Sequence, residues 1–136
     1  AWKEGLDPAE MQPIKTNTIA DSISAGLPRD RVKAMCAVTE TGGIYLTVSD
    51  EEILAAIPKL AQATGVFAEP AAAATYAGLL KAAKEGVFAP DEEIVALITG
   101  NGLKDVAAAQ KAVRQAPKVS PDLAEASPVI NGIFGS

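Results

Sequence analysis

At 136 residues the chain is sized for one domain, able to bury roughly two-thirds of the surface its unfolded form exposes. Small and aliphatic residues dominate, and aromatics make up 4%, which suits helices packed on a short aliphatic sheet and excludes an aromatic stacking platform. The net charge is −5 and the 12 basic residues are scattered, so there is no basic stripe to displace counterions and nucleic acid is not an expected partner.

Cys36 is the sole cysteine and histidine is absent, which excludes an internal disulfide, histidine-containing catalytic triads and most structural zinc sites. Cys36 lies in an apolar helical stretch and reads as a small buried hydrophobe. No run approaches the ~20 apolar residues of a membrane span, and the N-terminus does not read as a signal peptide. The expectation is an acidic cytoplasmic α/β protein with no membrane partner.

Residues 1–17 show no amphipathic period and read as an irregular lead-in. A short helix is expected from Thr18, with Ile19, Ile23 and Leu27 at helical spacing and Gly26 and Pro28 closing it. A second fits residues 28–41, with Val32, Met35, Cys36 and Thr39 on one face, stopped by Gly42-Gly43. Residues 44–48, Ile-Tyr-Leu-Thr-Val, read as a strand.

Ser49-Asp50-Glu51-Glu52 is a capping box, and the helix it opens carries a core stripe of Ile53, Leu54, Ile57, Leu60 and Ala61 before ending at Gly65. Pro58 interrupts that stripe and is expected to kink the helix or shift its start. Residues 66–68 form a brief extended stretch leading into Glu69-Pro70. Proline suits the first helical position, so an alanine-rich helix is expected over 70–84, stopping at Gly86. Residues 94–98, Ile-Val-Ala-Leu-Ile, are the clearest buried strand. The turn Thr99-Gly100-Asn101-Gly102 follows, then a last helix over 105–115. Pro117, Pro121 and Pro128 mark residues 117–136 as an irregular tail.

Strands alternating with helices predict an α/β fold: three layers, a mostly parallel sheet flanked by helices, joined by right-handed crossovers. The strands are too few for a free-standing sheet. The chain therefore reads as an incomplete half of a larger domain.

In a parallel sheet, ligands gather beyond the carboxyl ends of the strands. Thr99 closes the 94–98 strand, so its hydroxyl can project over that edge, and Gly100 and Gly102 permit close backbone approach. Spacing alone does not separate this turn from an ordinary one.

The stretch from Ile98 to Asp105 nevertheless resembles the strand ending in T-G-x-G-L-K-D of the threonine synthase family, within the tryptophan synthase β-like class of pyridoxal-phosphate enzymes. So do Ile19-Ala20-Asp21-Ser22-Ile23, Glu40-Thr41-Gly42-Gly43, the Val48-Ser49-Asp50-Glu51-Glu52-Ile53 segment and Gly65-Val66-Phe67-Ala68-Glu69-Pro70-Ala71, in the family's order. The likeness runs from about Thr18 to Asp105.

The resemblance implies that residues 1–136 are the C-terminal part of a large pyridoxal-phosphate-binding domain, and that the Thr99 hydroxyl bonds the pyridine nitrogen of the cofactor. A neutral hydroxyl there leaves the nitrogen largely unprotonated, which favours elimination and replacement over transamination. The family's reaction, a lyase step of threonine biosynthesis, is γ-elimination of phosphate from O-phosphohomoserine and addition of water at the β-carbon to give threonine. Gly100, Asn101 and Gly102 are implied to border the ring. Glu69 resembles an acidic residue near the pocket of related enzymes, and reads equally well as a carboxylate favouring the start of a helix. Lys104 reads as a surface or turn residue, because the family places its Schiff-base lysine far upstream.

Two positions depart from the family pattern. Asn101 stands where many relatives have histidine, and Ala72 where many have serine, which puts substrate preference in doubt. The family's Schiff-base lysine, glycine-rich phosphate cradle and substrate-phosphate groups are not recognisable here, and Ala1-Trp2-Lys3-Glu4-Gly5 resembles mid-protein sequence. The expectation is therefore a fragment with no catalytic residue of its own and no covalent hold on the cofactor. It would be inactive until joined to the N-terminal part of the same enzyme, in an assembly expected to be a homo-oligomer. A threonine or serine dehydratase fragment is one alternative. A non-catalytic binding module is another, and it predicts a tightly closed sheet, whereas a fragment predicts exposed apolar edges and self-association.

Overall fold

The computed structural model describes residues 1–134, apart from the side chain of Phe134. Five α-helices follow in order: α1 (Arg31–Glu40), α2 (Asp50–Thr64), α3 (Pro70–Lys84), α4 (Val106–Ala112) and α5 (Leu123–Phe134).

The core is the packing of α2 on α3. Local chemistry places α2: the Ser49 hydroxyl accepts from the Glu52 backbone N–H (3.2 Å) while the Glu52 carboxylate accepts from the Ser49 N–H (2.7 Å). Helix α2 ends at Gly65, whose N–H donates to the Ala61 carbonyl at 2.8 Å. Pro58 lies inside it and does not shift its start. Ile53, Ala56, Ile57 and Leu60 are buried on one face, and Ala72, Ala73 and Ala77 of α3 meet them with small side chains that let the two backbones approach. Each buried Ile or Leu contributes about 1.5–3 kcal/mol. Helix α3 spans the residues the sequence predicts for it, with Pro70 at its first position.

The segment after Thr18 does not become a helix beyond a single 3-10 turn at Asp21–Ile23. Tertiary bonds override its helical period. The Asp50 carboxylate accepts from the Thr18 hydroxyl (2.6 Å) and the Ile19 N–H (3.1 Å), and the Ile14 N–H donates to the Gly26 carbonyl at 3.0 Å. Ala20, drawn inward by these anchors, is buried. The lead-in contains two further 3-10 turns, Trp2–Glu4 and Pro8–Glu10.

The expected sheet does not form among the described residues, where no strand occurs. Residues 44–48 and 94–98 carry no helix and no ladder, because a strand needs a neighbour to take its N–H and C=O groups and none of the described residues supplies one. The Lys81 ammonium caps one such carbonyl, that of Thr47, at 2.6 Å. Val95 is 86% exposed and Leu97 72% exposed, although the sequence reads both as core. The whole chain exposes 10160 Å², against about 6,700 Å² for a compact monomer of this size.

Three further expectations are corrected. Cys36 is exposed, because α1 contributes no buried residue and packs its faces on little else. The last helix begins with a 3-10 turn, Gly102–Asp105, and α4 closes at Ala112, short of residue 115. The tail is not irregular throughout: Asp122 starts α5 by accepting from the Ala124 N–H at 2.7 Å, and the helix passes through Pro128. Residues 135 and 136 of that tail lie outside the described residues. No helix among the described residues is long and apolar enough to cross a membrane.

Candidate functional site

The two segments that carry the candidate residues are far apart in sequence and adjacent in space. Ala68 and Asn101 form an isolated antiparallel bridge. The Glu69 N–H donates to the Gly100 carbonyl at 3.0 Å, and the Gly102 N–H donates to the Phe67 carbonyl at 2.9 Å. These two bonds bring Glu69 and the turn 99–102 together at the N-terminal end of α3. The bridge is antiparallel, in contrast to the parallel arrangement the crossovers predict.

Glu69 is the residue before α3 and is 7% exposed. Its side chain makes no capping bond to the helix. It turns instead toward the turn, where the Lys104 ammonium stands 3.3 Å from Oε2 and 3.5 Å from Oε1. A buried carboxylate requires a partner of this kind. Lys104, read from sequence as a plain turn residue, is thus the counter-charge of the site, although its own side chain remains largely exposed.

The glycines serve close approach. A Cβ on Gly100 would collide with the Glu69 side chain, from Cγ to Oε1, and a Cβ on Gly102 would collide with the Phe67 ring. Neither glycine has a positive φ, so it is space and not backbone conformation that excludes a larger residue. Gly102 is buried between these neighbours. Asn101 shapes the turn from within: its Oδ1 accepts from the Leu103 N–H at 2.9 Å, starting the 3-10 turn that follows.

Thr99 is exposed, and its hydroxyl has no hydrogen-bond partner among the described residues. It sits at the end of the unpaired 94–98 segment, on open surface. The larger grooves lie elsewhere. One of about 500 Å³ is lined by Trp2, Met35 and Tyr45, and one of about 520 Å³ lies over α3 between residues 44–46 and 94–96. Neither includes a candidate residue, and a cavity by itself supplies no chemistry, whereas Glu69, Lys104 and the turn converge. What sequence reasoning missed was the pairing of Glu69 with Lys104 and of Phe67 with Gly102. No local signal foretells contacts across such separations; only the bridge at Ala68 and Asn101 creates them.

Comparison with known proteins bears on the same residues. The family model described as "Pyridoxal-phosphate dependent enzyme" matches residues 2–100, ending within the turn. The threonine synthase of Mycobacterium tuberculosis (strain ATCC 25618 / H37Rv) is 46% identical over 104 residues, which are 76% of this chain and 28% of that protein. That of Methanocaldococcus jannaschii is 43% identical over 106 residues, 78% of the chain and 26% of the relative. That of Mycobacterium leprae is 45% identical over 113 residues, 83% and 31% respectively. The chain thus spans between a quarter and a third of the length of these relatives. With most of its length matched, from the lead-in to the glycine turn, the chain belongs to the family of pyridoxal-phosphate dependent enzymes.

Proposed function

We propose that this chain is the C-terminal part of a threonine synthase, a lyase of threonine biosynthesis that converts O-phosphohomoserine and water to threonine and phosphate. The observation that carries the reading is exposed Thr99, whose hydroxyl has no partner among the described residues, on a turn buttressed from behind by buried Glu69. The identity of 43–46% to proteins named threonine synthase supports it, as does the order of the matching motifs.

The residues present fit the cofactor in one respect. An unengaged hydroxyl is the donor a pyridine nitrogen takes, and being a very weak acid it bonds the nitrogen without giving up its proton. Pyridoxal phosphate, when bound, supplies the electron sink for carbanion chemistry. The chain's own contribution in this proposal is positional. Thr99 holds the ring nitrogen, Gly100 and Gly102 keep the backbone thin beside it, Asn101 fixes the turn, and Glu69 lends the turn a rigid, charged backing. Lys104 is engaged with Glu69 and is not offered as a covalent anchor. No residue of this chain is assigned a catalytic role; the lysine and the groups for both phosphates are assigned to the N-terminal part of the same enzyme.

The same proposal accounts for the exposed apolar side chains of the two segments that do not pair. Residues 44–48 and 94–98 become members of a mostly parallel, three-layer sheet when that part docks, covering Val95 and Leu97. The extent of exposed apolar surface argues against a self-contained binding module. A cytoplasmic homo-oligomeric enzyme, inactive when reduced to this chain, completes the proposal. The test is phosphate release from O-phosphohomoserine by the complete protein. Release coupled to threonine formation is expected; deamination of threonine or serine without phosphate release would overturn the reading in favour of a dehydratase. Replacing Thr99 by Val should weaken pyridoxal-phosphate retention, and unchanged retention would remove Thr99 from the site.

A further inference from the structure

We propose that Lys104 is a positioning residue of the cofactor turn: by holding the Glu69 carboxylate against Gly100, its ammonium group sets the pose in which Thr99 is presented. The inference rests on the reading of 99–102 as the cofactor turn, and extends it to a residue outside that turn.

Three features converge on Lys104. The first is that the chain folds it back on purpose-built local bonds. The Lys104 N–H donates to the Asn101 carbonyl at 3.1 Å and the Asn101 side chain accepts from the Leu103 N–H, so the 3-10 turn returns the lysine toward residues 67–69. The second is that the direction of the Glu69 carboxylate is not fixed by its own helix, since it makes no capping bond there. Among the described residues Lys104 is its partner, at 3.3 and 3.5 Å. The third is the absence of slack between that carboxylate and Gly100, where even a methyl group would not fit. A carboxylate released from Lys104 must move, either toward water or into Gly100, and Gly100 adjoins Thr99.

The experiment is amide hydrogen exchange by NMR on the 136-residue chain, comparing Lys104→Met, Lys104→Arg and the double variant Glu69→Gln/Lys104→Met. The reporters are the two N–H groups of the bridge, on Glu69 and Gly102, together with the chemical shift of Thr99. Lys104→Met should speed exchange at both reporters by up to about five-fold, the scale of a partly exposed ion pair, and should move the Thr99 resonance. Exchange at Ile57 and Leu60 in α2 should not change. Lys104→Arg should restore both reporters. So should the double variant, because a neutral amide needs no counter-charge. Unchanged exchange and an unmoved Thr99 in Lys104→Met would overturn the proposal, as would failure of Lys104→Arg to rescue. Should Lys104→Met also loosen α2, the other two variants decide: restoration by both supports the proposal and restoration by neither refutes it. No cofactor enters these measurements. Failure here is therefore distinct from failure of the cofactor reading, which shows only as unchanged pyridoxal-phosphate retention in Thr99→Val.

Discussion

Gly100→Ala probes the contact on which the site is built. A Cβ at this position would overlap Cγ, Cδ and Oε1 of Glu69, a side chain that is buried and cannot swing aside without leaving Lys104. Forcing such an overlap costs roughly 1–3 kcal/mol. Loss of the ion pair adds at most about 1 kcal/mol, since Lys104 is 63% exposed and its charge is screened. The sum, about 1–4 kcal/mol, corresponds to a fall of roughly 4–16 °C in Tm for a domain of this size. Thermal and urea melts followed by far-UV circular dichroism read it directly. The decisive control is the same substitution in a Glu69→Ala background, which deletes all three colliding atoms. Since Gly100 does not have a positive φ, alanine there should then be neutral or stabilising by about 0.4–1 kcal/mol. The sign of the effect inverts between backgrounds, a coupling that a double-mutant cycle isolates. Equal destabilisation in both would refute the reasoning, because the cost would then lie in the backbone and not in the carboxylate.

Other consequences follow from the same structure. Ser49→Ala removes one arm of the capping box and should destabilise the chain by about 1 kcal/mol in urea melts, with fraying confined to the first turn of α2. Ile57, 2% exposed at the α2–α3 interface, should cost about 2–4 kcal/mol on replacement by Ala. Val95→Ala should fall within about 0.5 kcal/mol in the isolated chain and become several times more costly in the complete enzyme if the 94–98 segment is buried there; equal small effects in both would count against the sheet. The Glu51 carboxyl is held below the ordinary range by its own backbone N–H first and by the Ser49 hydroxyl second. Its contribution is thus present above the unfolded glutamate value of about 4.3 and lost as pH falls through the lower folded one. Acidification below that range should loosen the start of α2, and Glu51→Gln should remove that pH dependence.

Helices α2 and α3 were legible because their limits are written in neighbouring residues: a capping box at Ser49, a glycine at 65, a proline at 70. Their facing stripes were legible because burial follows helical period. The helix expected after Thr18 was not realised, since Asp50, on another element, claims the Thr18 hydroxyl and the Ile19 amide. The tail is partly helical despite its prolines, because the Asp122 side chain starts α5. The strand pattern at 44–48 and 94–98 records burial, and the folded chain leaves Ile44, Tyr45, Ile94, Val95 and Leu97 exposed, because a strand's stability comes from neighbours that its own sequence does not contain.

The candidate residues divide in the same way. Sequence by itself determined which residues carry the family likeness, Thr99 with its glycines and Glu69, since a motif is a property of order along the chain. Only the tertiary structure decided that these belong to one place, that Lys104 is the charge Glu69 answers to, and that the glycines are required by the bulk of Glu69 and Phe67. The physical reason is range. Caps and periodicity act across a single helical turn, whereas a buried charge finds its partner, and a glycine its crowding neighbour, only after distant segments have met.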